Sequence, residues 1–312
     1  MREGNYLFSI DGGGTKTEFC ICDTRSGRIT SETFGSTNYK VVGLEAATAN
    51  LKDSFNKICF QQDIRAQDIL GIVIGVSGCD TKQDYEVYDL IARHMRVDMD
   101  KVFICNDSEL VFRSVAEQPG VCAISGTGSI AVGFDKKGKV HRCGGWGSPL
   151  SDQGSGYWIG EQVLKEWVRY CDGQLQKDSI FQKLKAFYHL ERETEIPYFI
   201  AAFDHAEITS SARMISDEAE RGNPVCERVV KAAAFEVADM AAAVYQKLGL
   251  EPDEKIDMVT SGSIFNGWLY LKTFRERFKE QVHNENINYV VFDKSPAQAG
   301  IQLARNMFYI KK

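Results

Sequence analysis

A chain of 312 residues with 44% hydrophobic and 26% charged residues has apolar material for two domains and is ordinary for a globular protein. Its formal charge of −6, with Lys and Arg scattered along the chain, excludes nucleic acid and an anionic membrane as expected partners. Nine cysteines without paired knuckle spacing fit reduced thiols in the cytoplasm, and neither a signal segment nor a membrane span is expected.

The opening stretch sets the plan. Tyr6 to Ile10 and Glu18 to Cys22 are two β-type runs joined by Asp11-Gly12-Gly13-Gly14-Thr15-Lys16-Thr17, which predicts a hairpin. Glycines without a Cβ let backbone N–H groups approach an anion, with the Thr15 hydroxyl and the Lys16 ammonium beside them. Asp11 would face a polyphosphate with the wrong charge unless a divalent cation lay between, which suggests magnesium held through water. A run from Arg28 to Phe34 makes the start a three-stranded meander, and Gly35 to Tyr39 reads as a polar loop in which turn chemistry is the simpler role for Asn38.

Leu44 to Phe60 has helical period, Ile69 to Val76 is a buried strand ending at Ser77, Gln83 to Arg96 is a helix and Lys101 to Cys105 a strand. This is an α/β sheet, whose ligands sit beyond the carboxyl ends of the strands, where Asp11, Ser77 and Asp107 fall. Asn106 and Glu109 can form a capping pair for the next helix, leaving Asp107 to accept the proton of an attacking hydroxyl. Its ordinary carboxylate pKa is expected to be lowered further by the helix N-terminus.

Gly120 to Phe134 repeats the opening plan with Gly126-Thr127-Gly128 as its turn, and Lys139 to Cys143 completes a second meander. Two such units suggest duplicated halves whose turns face one nucleotide. Gly144 to Gly160 is too rich in glycine for regular structure, and Trp146 with Asp152 has the chemistry of a sugar site: an aromatic face to stack on a ring and a carboxylate to accept hydroxyls. Helices follow, among them one capped by Asn223-Pro224, then a strand Lys255 to Thr260, a turn at Gly262 suited to a planar base, a helix Trp268 to Val282, a strand Tyr289 to Phe292 and a helix opened by Ser295-Pro296.

In order and spacing, Asp11 to Thr17, Ser125 to Ser129, Gly144 to Gly147, Asp152 with Gly154-Ser155, Tyr157 to Gly160 and Ser261-Gly262 resemble the N-acetylglucosamine kinases of the BadF/BadG-type ATPase family, within the actin, hexokinase and heat-shock chaperone superfamily. The resemblance implies an α/β fold of two ribonuclease H-like domains with an interdomain cleft, residues 1–117 and 118–312, the helix at about 295–310 packing back on the first. It implies ATP and magnesium as cofactors and a cytoplasmic homodimer acting on a small amino sugar. By it, Asp11 serves magnesium, Gly13, Gly14, Thr15 and Thr127 serve phosphates, and Gly262, Ser263 and Asn266 serve the nucleoside; Lys16 and Gly126 join the phosphate set from the two turns themselves. Asn38, Asp107, Trp146, Gly147 and Asp152 would hold the sugar, with Asp107 as base toward its 6-hydroxyl, and Ser77 joins them from its place beyond the carboxyl end of its strand. Two departures stand out: Ser151-Asp152-Gln153-Gly154-Ser155 replaces a Gly-Asp-Glu-Gly-Ser pattern, losing a carboxylate at Gln153, and Gly262-Ser263 replaces Gly-Gly. The expected activity is phosphorylation of N-acetylglucosamine, with glucosamine or N-acetylmuramic acid as alternative acceptors. An iron–sulfur ATPase activator of a dehydratase and a non-catalytic nucleotide sensor are the readings from other classes.

Overall fold

The computed structural model describes residues 5–116, 119–148, 150–192, 195–197, 205–251 and 253–309. The chain divides into two compact units, Met1–Glu117 with Asp293–Lys312, and Gln118–Phe292.

The first unit carries strands β1 (Tyr6–Gly12), β2 (Lys16–Asp23), β3 (Ile29–Gly35), β4 (Ile69–Val76) and β5 (Val102–Asn106). Their order is β3-β2-β1-β4-β5, antiparallel in the β1-β2-β3 meander and parallel from β1 to β4 and β5. Alternation along each strand divides the residues between two faces. Phe8, Ile10, Phe19, Ile21, Ile72 and Ile74 form one face and pack with Leu51, Phe55 and Ile58 of α2 (Leu44–Gln61) and Tyr88 and Ile91 of α3 (Lys82–Arg93), after the four-residue helix α1 (Tyr39–Val42). Leu7, Cys20, Cys22 and Val73 form the other, against Leu110 of α4 (Asp107–Val115) and Ala297, Ile301 and Ala304 of the chain's last helix, Pro296–Phe308. That helix lies hard on the sheet: a Cβ at Gly300 would come 2.1 Å from Ser9 Oγ.

The second unit repeats the topology. Strands β6 (Gly120–Ser125), β7 (Ser129–Phe134), β8 (Val140–Gly144), β9 (Ile256–Ser261) and β10 (Ile287–Val291) lie in the order β10-β9-β6-β7-β8, so β6 takes the place that β1 holds in the first sheet. The fold is therefore α/β with two mixed five-stranded sheets. Helices α5 (Gly156–Cys171), α6 (Ser179–Phe187), α7 (His205–Glu220), α8 (Pro224–Lys247) and α9 (Trp268–Val282) build its core around Trp167, Leu184, Tyr270, Phe274 and Phe278; Pro296–Phe308 becomes α10. Among the described residues, no helix is long and apolar enough to cross a membrane.

Local readings shift in three places. The segment read as too rich in glycine for regular structure as far as Gly160 gives way to helix at Ser155, where the chain was also expected to turn mainly helical; the Ser155 hydroxyl accepts the Trp158 N–H and starts α5 at Gly156. Glycine inside this helix serves close packing, because a Cβ at Gly160 would meet the Ile208 carbonyl at 2.6 Å. Asn38, read as part of a polar loop, caps α1 by accepting the Lys40 N–H at 3.0 Å. The expected Asn106–Glu109 capping pair does not form: Asn106 caps α4 without Glu109, which turns to Arg113 at 2.7 Å, where an ion pair one turn along outcompetes the helix end.

Candidate functional site

In the first unit the candidate residues gather at the carboxyl ends of β1, β4 and β5. The turn Gly13–Lys16 is closed by the Gly13 N–H donating to the Lys16 carbonyl at 2.9 Å. This engages the amide of Gly13 within its own turn. The Ser36 hydroxyl donates to the Gly13 carbonyl at 2.8 Å, and Thr17 donates to the Thr37 hydroxyl at 3.0 Å, which staples the loop before α1 to the hairpin. Beside it, Asn38 Nδ2 donates to Ser77 Oγ at 3.2 Å, and Ser77 donates from its backbone N–H to the Gly12 carbonyl at 2.8 Å. Lys40, at 2.9 Å from Asp84, and the Tyr39 hydroxyl, at 2.6 Å from the same carboxylate, fix α1 against α3.

Asp107 is the first residue of α4, its Oδ1 accepting the Ser108 N–H at 2.8 Å. The helix end was expected to depress its pKa; instead the carboxyl is pushed up to about 6, because burial outweighs the amide hydrogen bond and Asp80 adds its negative field. Asp80 is held near by Asn106 Nδ2 at 3.1 Å and Lys40 at 3.7 Å. Asp11 is pushed up to about 7, by burial first and then by Asp107 and Glu18, with Lys16 opposing. Carboxylates crowded in this way form a site short of positive charge. Hard oxygen donors with excess negative field fit magnesium; among the described residues no group of three or more His, Cys, Asp or Glu side chains is gathered to ligate a metal directly.

The second unit presents the matching turn. The Gly126 N–H donates to the Gly128 carbonyl at 2.9 Å, leaving exposed Thr127 at the tip as Thr15 is in the first unit. The segment after β8 is clamped beneath it: the Gly156 N–H reaches the Gly126 carbonyl at 2.8 Å, Ser129 Oγ the Gln153 carbonyl at 2.7 Å, and Ser125 Oγ the Gly154 carbonyl at 3.0 Å. Asp152 is held at φ +70°, unusual for a residue with a side chain, and its carboxylate accepts the Ser129 N–H at 3.2 Å. So Asp152 belongs to the Gly126–Gly128 turn itself. Trp146 is 76% exposed with the Arg142 guanidinium 4.3 Å over its ring, and Gly147 is exposed beside it.

Gly262 follows β9 at φ +101°, where an added Cβ would stand 2.2 Å from the Ser125 carbonyl oxygen. Its backbone thus packs directly on the end of β6, and the 3-10 turn Ser263–Asn266 leaves Ser263 and Asn266 exposed next to it. Gly262→Ala is expected to destabilise the protein by about 2 kcal/mol or more, seen in thermal melting. A variant melting with the wild type would show that this contact relaxes freely.

The sequence profile of the BadF/BadG/BcrA/BcrD ATPase family matches residues 9–300, from β1 through the start of α10. The chain belongs to that family. Among curated relatives of this BadF/BadG/BcrA/BcrD ATPase family chain are an N-acetylmuramic acid/N-acetylglucosamine kinase of Clostridium acetobutylicum, 28% identical over 288 residues and 91% of each chain, and an N-acetyl-D-glucosamine kinase of Dictyostelium discoideum, 27% identical over 310 residues, 95% of this chain and 97% of that one. A solved structure described as a candidate N-acetylglucosamine kinase from Chromobacterium violaceum shares the fold with a TM-score of 0.72 at 18% identity, covering 97% of this chain and 99% of that one.

Glu18 was not among the residues expected to matter, although its place was legible. Once the turn is set, Gly12 pairs with Thr17 and Asp11 with Glu18, so the carboxylates share a face of the hairpin.

Proposed function

We propose that this chain is an ATP-dependent amino-sugar kinase that transfers the γ-phosphoryl group of ATP to the 6-hydroxyl of N-acetylglucosamine. The observation that carries this reading is Asp107: a half-buried carboxyl at the end of β5, near Asp11, with a pKa raised to about 6. It is ionised at neutral pH yet more basic than a solvated aspartate. Such a group orients a hydroxyl and accepts its proton as the bond to phosphorus forms, which suits a loose transition state in which positioning outweighs base strength. Relatives named as amino-sugar kinases over nine-tenths of the chain support the same reaction class.

In this reading Gly14 and Thr15 of one turn and Thr127 of the other donate to phosphate oxygens, Lys16 adds charge, and Gly262, Ser263 and Asn266 receive the nucleoside. Asp11 would hold magnesium through water. When bound, that cation neutralises the charge that develops on the phosphoryl oxygens. Asn38, Ser77, Trp146, Gly147 and Asp152 bind and orient the sugar. The protein works as a cytoplasmic homodimer. The activator reading is disfavoured because an interface cluster needs thiolates presented together at a surface, whereas Cys122 and Cys143 stand on strands β6 and β8, the first fully buried and the second half-buried.

N-acetylmuramic acid is the second acceptor to test. Its lactyl carboxylate would be repelled by a glutamate beside Asp152, and this chain has Gln153 there. A coupled ADP-release assay over N-acetylglucosamine, N-acetylmuramic acid, glucosamine and glucose is expected to favour an N-acetylated sugar over glucose by at least about 100-fold in kcat/KM, since an amide-binding site left unpaired rejects the analogue. ADP release that no amino sugar stimulates would overturn the assignment.

A further inference from the structure

Asp11 and Glu18 are direct cross-strand partners on β1 and β2, and both side chains point to the face covered by α4 and α10. Like charges in such a pair destabilise a hairpin, so their presence calls for a compensating charge. The cation on their own turn, Lys16, is exposed. Glu18 is also fixed in place. Ser295 Oγ donates to its Oε2 at 2.7 Å while accepting the Gln298 N–H at 3.3 Å as the cap of α10, and Cys20 Sγ lies 3.9 Å from its Oε1. One hydroxyl thus joins the phosphate-turn strand to the first turn of the last helix. Ser295 stands three residues past Phe292, where the chain leaves the second unit.

We propose that Glu18 is a positioning residue for the divalent cation that accompanies the nucleotide: together with Asp11 it receives the cation's water ligands, and Ser295 holds its carboxylate in that orientation. The inference rests on the reading that a magnesium nucleotide occupies the β1–β2 turn. Without Glu18 the waters lose one acceptor and Asp11 alone must order them. The loss falls on the metal complex and not on the nucleotide itself.

Calorimetric titration of the full-length protein with ADP, with and without magnesium, separates these effects. Glu18→Gln is expected to weaken magnesium–ADP binding by about 10-fold, the usual effect of removing an outer acceptor, with metal-free ADP binding unchanged. Ser295→Ala, which leaves both carboxylates in place, is expected to shift the same ratio in the same direction by a smaller factor. Manganese binding to the ADP complex, followed by electron paramagnetic resonance, should weaken in parallel in both variants. Equal loss of ADP affinity with and without metal would reduce Glu18 to a structural residue and overturn the proposal, as would an unchanged metal dependence. If Glu18→Gln does not fold, the Ser295→Ala ratio decides alone. The sugar panel is an independent measurement: a wild type that binds magnesium–ADP but phosphorylates no sugar defeats the kinase reading, while the metal ratio still tests Glu18.

Discussion

Replacing Asp107 by Asn is expected to lower kcat by about 1,000-fold while sugar affinity stays within about threefold. The substitution keeps the shape of the side chain and an oxygen for the Ser108 N–H, so α4 starts as before. What it removes is the acceptor for the hydroxyl proton, an interaction that strengthens as the transition state is reached; hence the effect falls on kcat. The pH dependence identifies the group. With the carboxyl raised to about 6 by burial, wild-type kcat/KM for the sugar at saturating magnesium–ATP should fall below pH 6, as the base becomes protonated, and level off above pH 7. The residual activity of Asp107→Asn should lack that acidic limb. A variant that retains most of its turnover, or an unchanged limb, would remove Asp107 from the role of base.

Much of the architecture was legible because local chemistry and burial agree. Two glycine turns flanked by apolar runs predicted β1–β2 and β6–β7, and Ser295-Pro296 announced α10, which starts at Pro296. Asn223-Pro224 did the same for α8, with Asn223 accepting the Val225 and Cys226 N–H groups. The misreadings arose where a residue's reason lies far away in sequence. Gly156 and Gly160 look like loop residues until Gly126 and Ile208 are seen pressed against them. Glu109 looks like a capping partner until Arg113 competes for it.

The site was legible as positions and less so as charges. Asp11 and Asp107 fall at strand ends by counting along the chain, but their raised pKa values come from burial first, and then from Asp107 and Glu18 acting on Asp11 and Asp80 acting on Asp107, which no local window contains. The amides of Gly13 and Gly126 counted as phosphate donors in the sequence; each closes its own turn, a consequence of hairpin geometry. Asp152 was read from composition as a sugar contact; its positive φ and its bond to the Ser129 N–H, 23 residues back along the chain, tie it to the strand that leaves the Gly126–Gly128 turn, which composition does not show.

Asp11→Asn is expected to make the nucleotide-free protein more stable at pH 8 and far less active. The wild-type carboxyl is raised to about 7 in the folded state from an ordinary value of 3.8, so the folded protein binds that proton more tightly than the unfolded chain does. Stability must then decline as pH rises from about 4 through 7, and the whole penalty is present above that range. Asparagine carries no charge to desolvate and none to repel Asp107 or Glu18. The gain at pH 8 should be roughly 2–4 kcal/mol, the upper figure corresponding to the full rise from 3.8 to about 7, read as a higher melting temperature, and should be nearly gone at pH 4, where the folded wild-type carboxyl is also neutral. Magnesium–ADP should reverse the order: it raises the wild-type melting temperature by mass action and raises that of the variant less, because Asp11 no longer receives the cation's waters. Turnover at millimolar magnesium should fall by about 100-fold or more. A variant less stable than the wild type at pH 8 would mean that the folded state satisfies the Asp11 carboxylate, and the case for a cation-shaped deficit of charge at this hairpin would fail. A variant that gains stability and loses magnesium dependence would show that the hairpin bears a standing electrostatic cost which the metal nucleotide relieves.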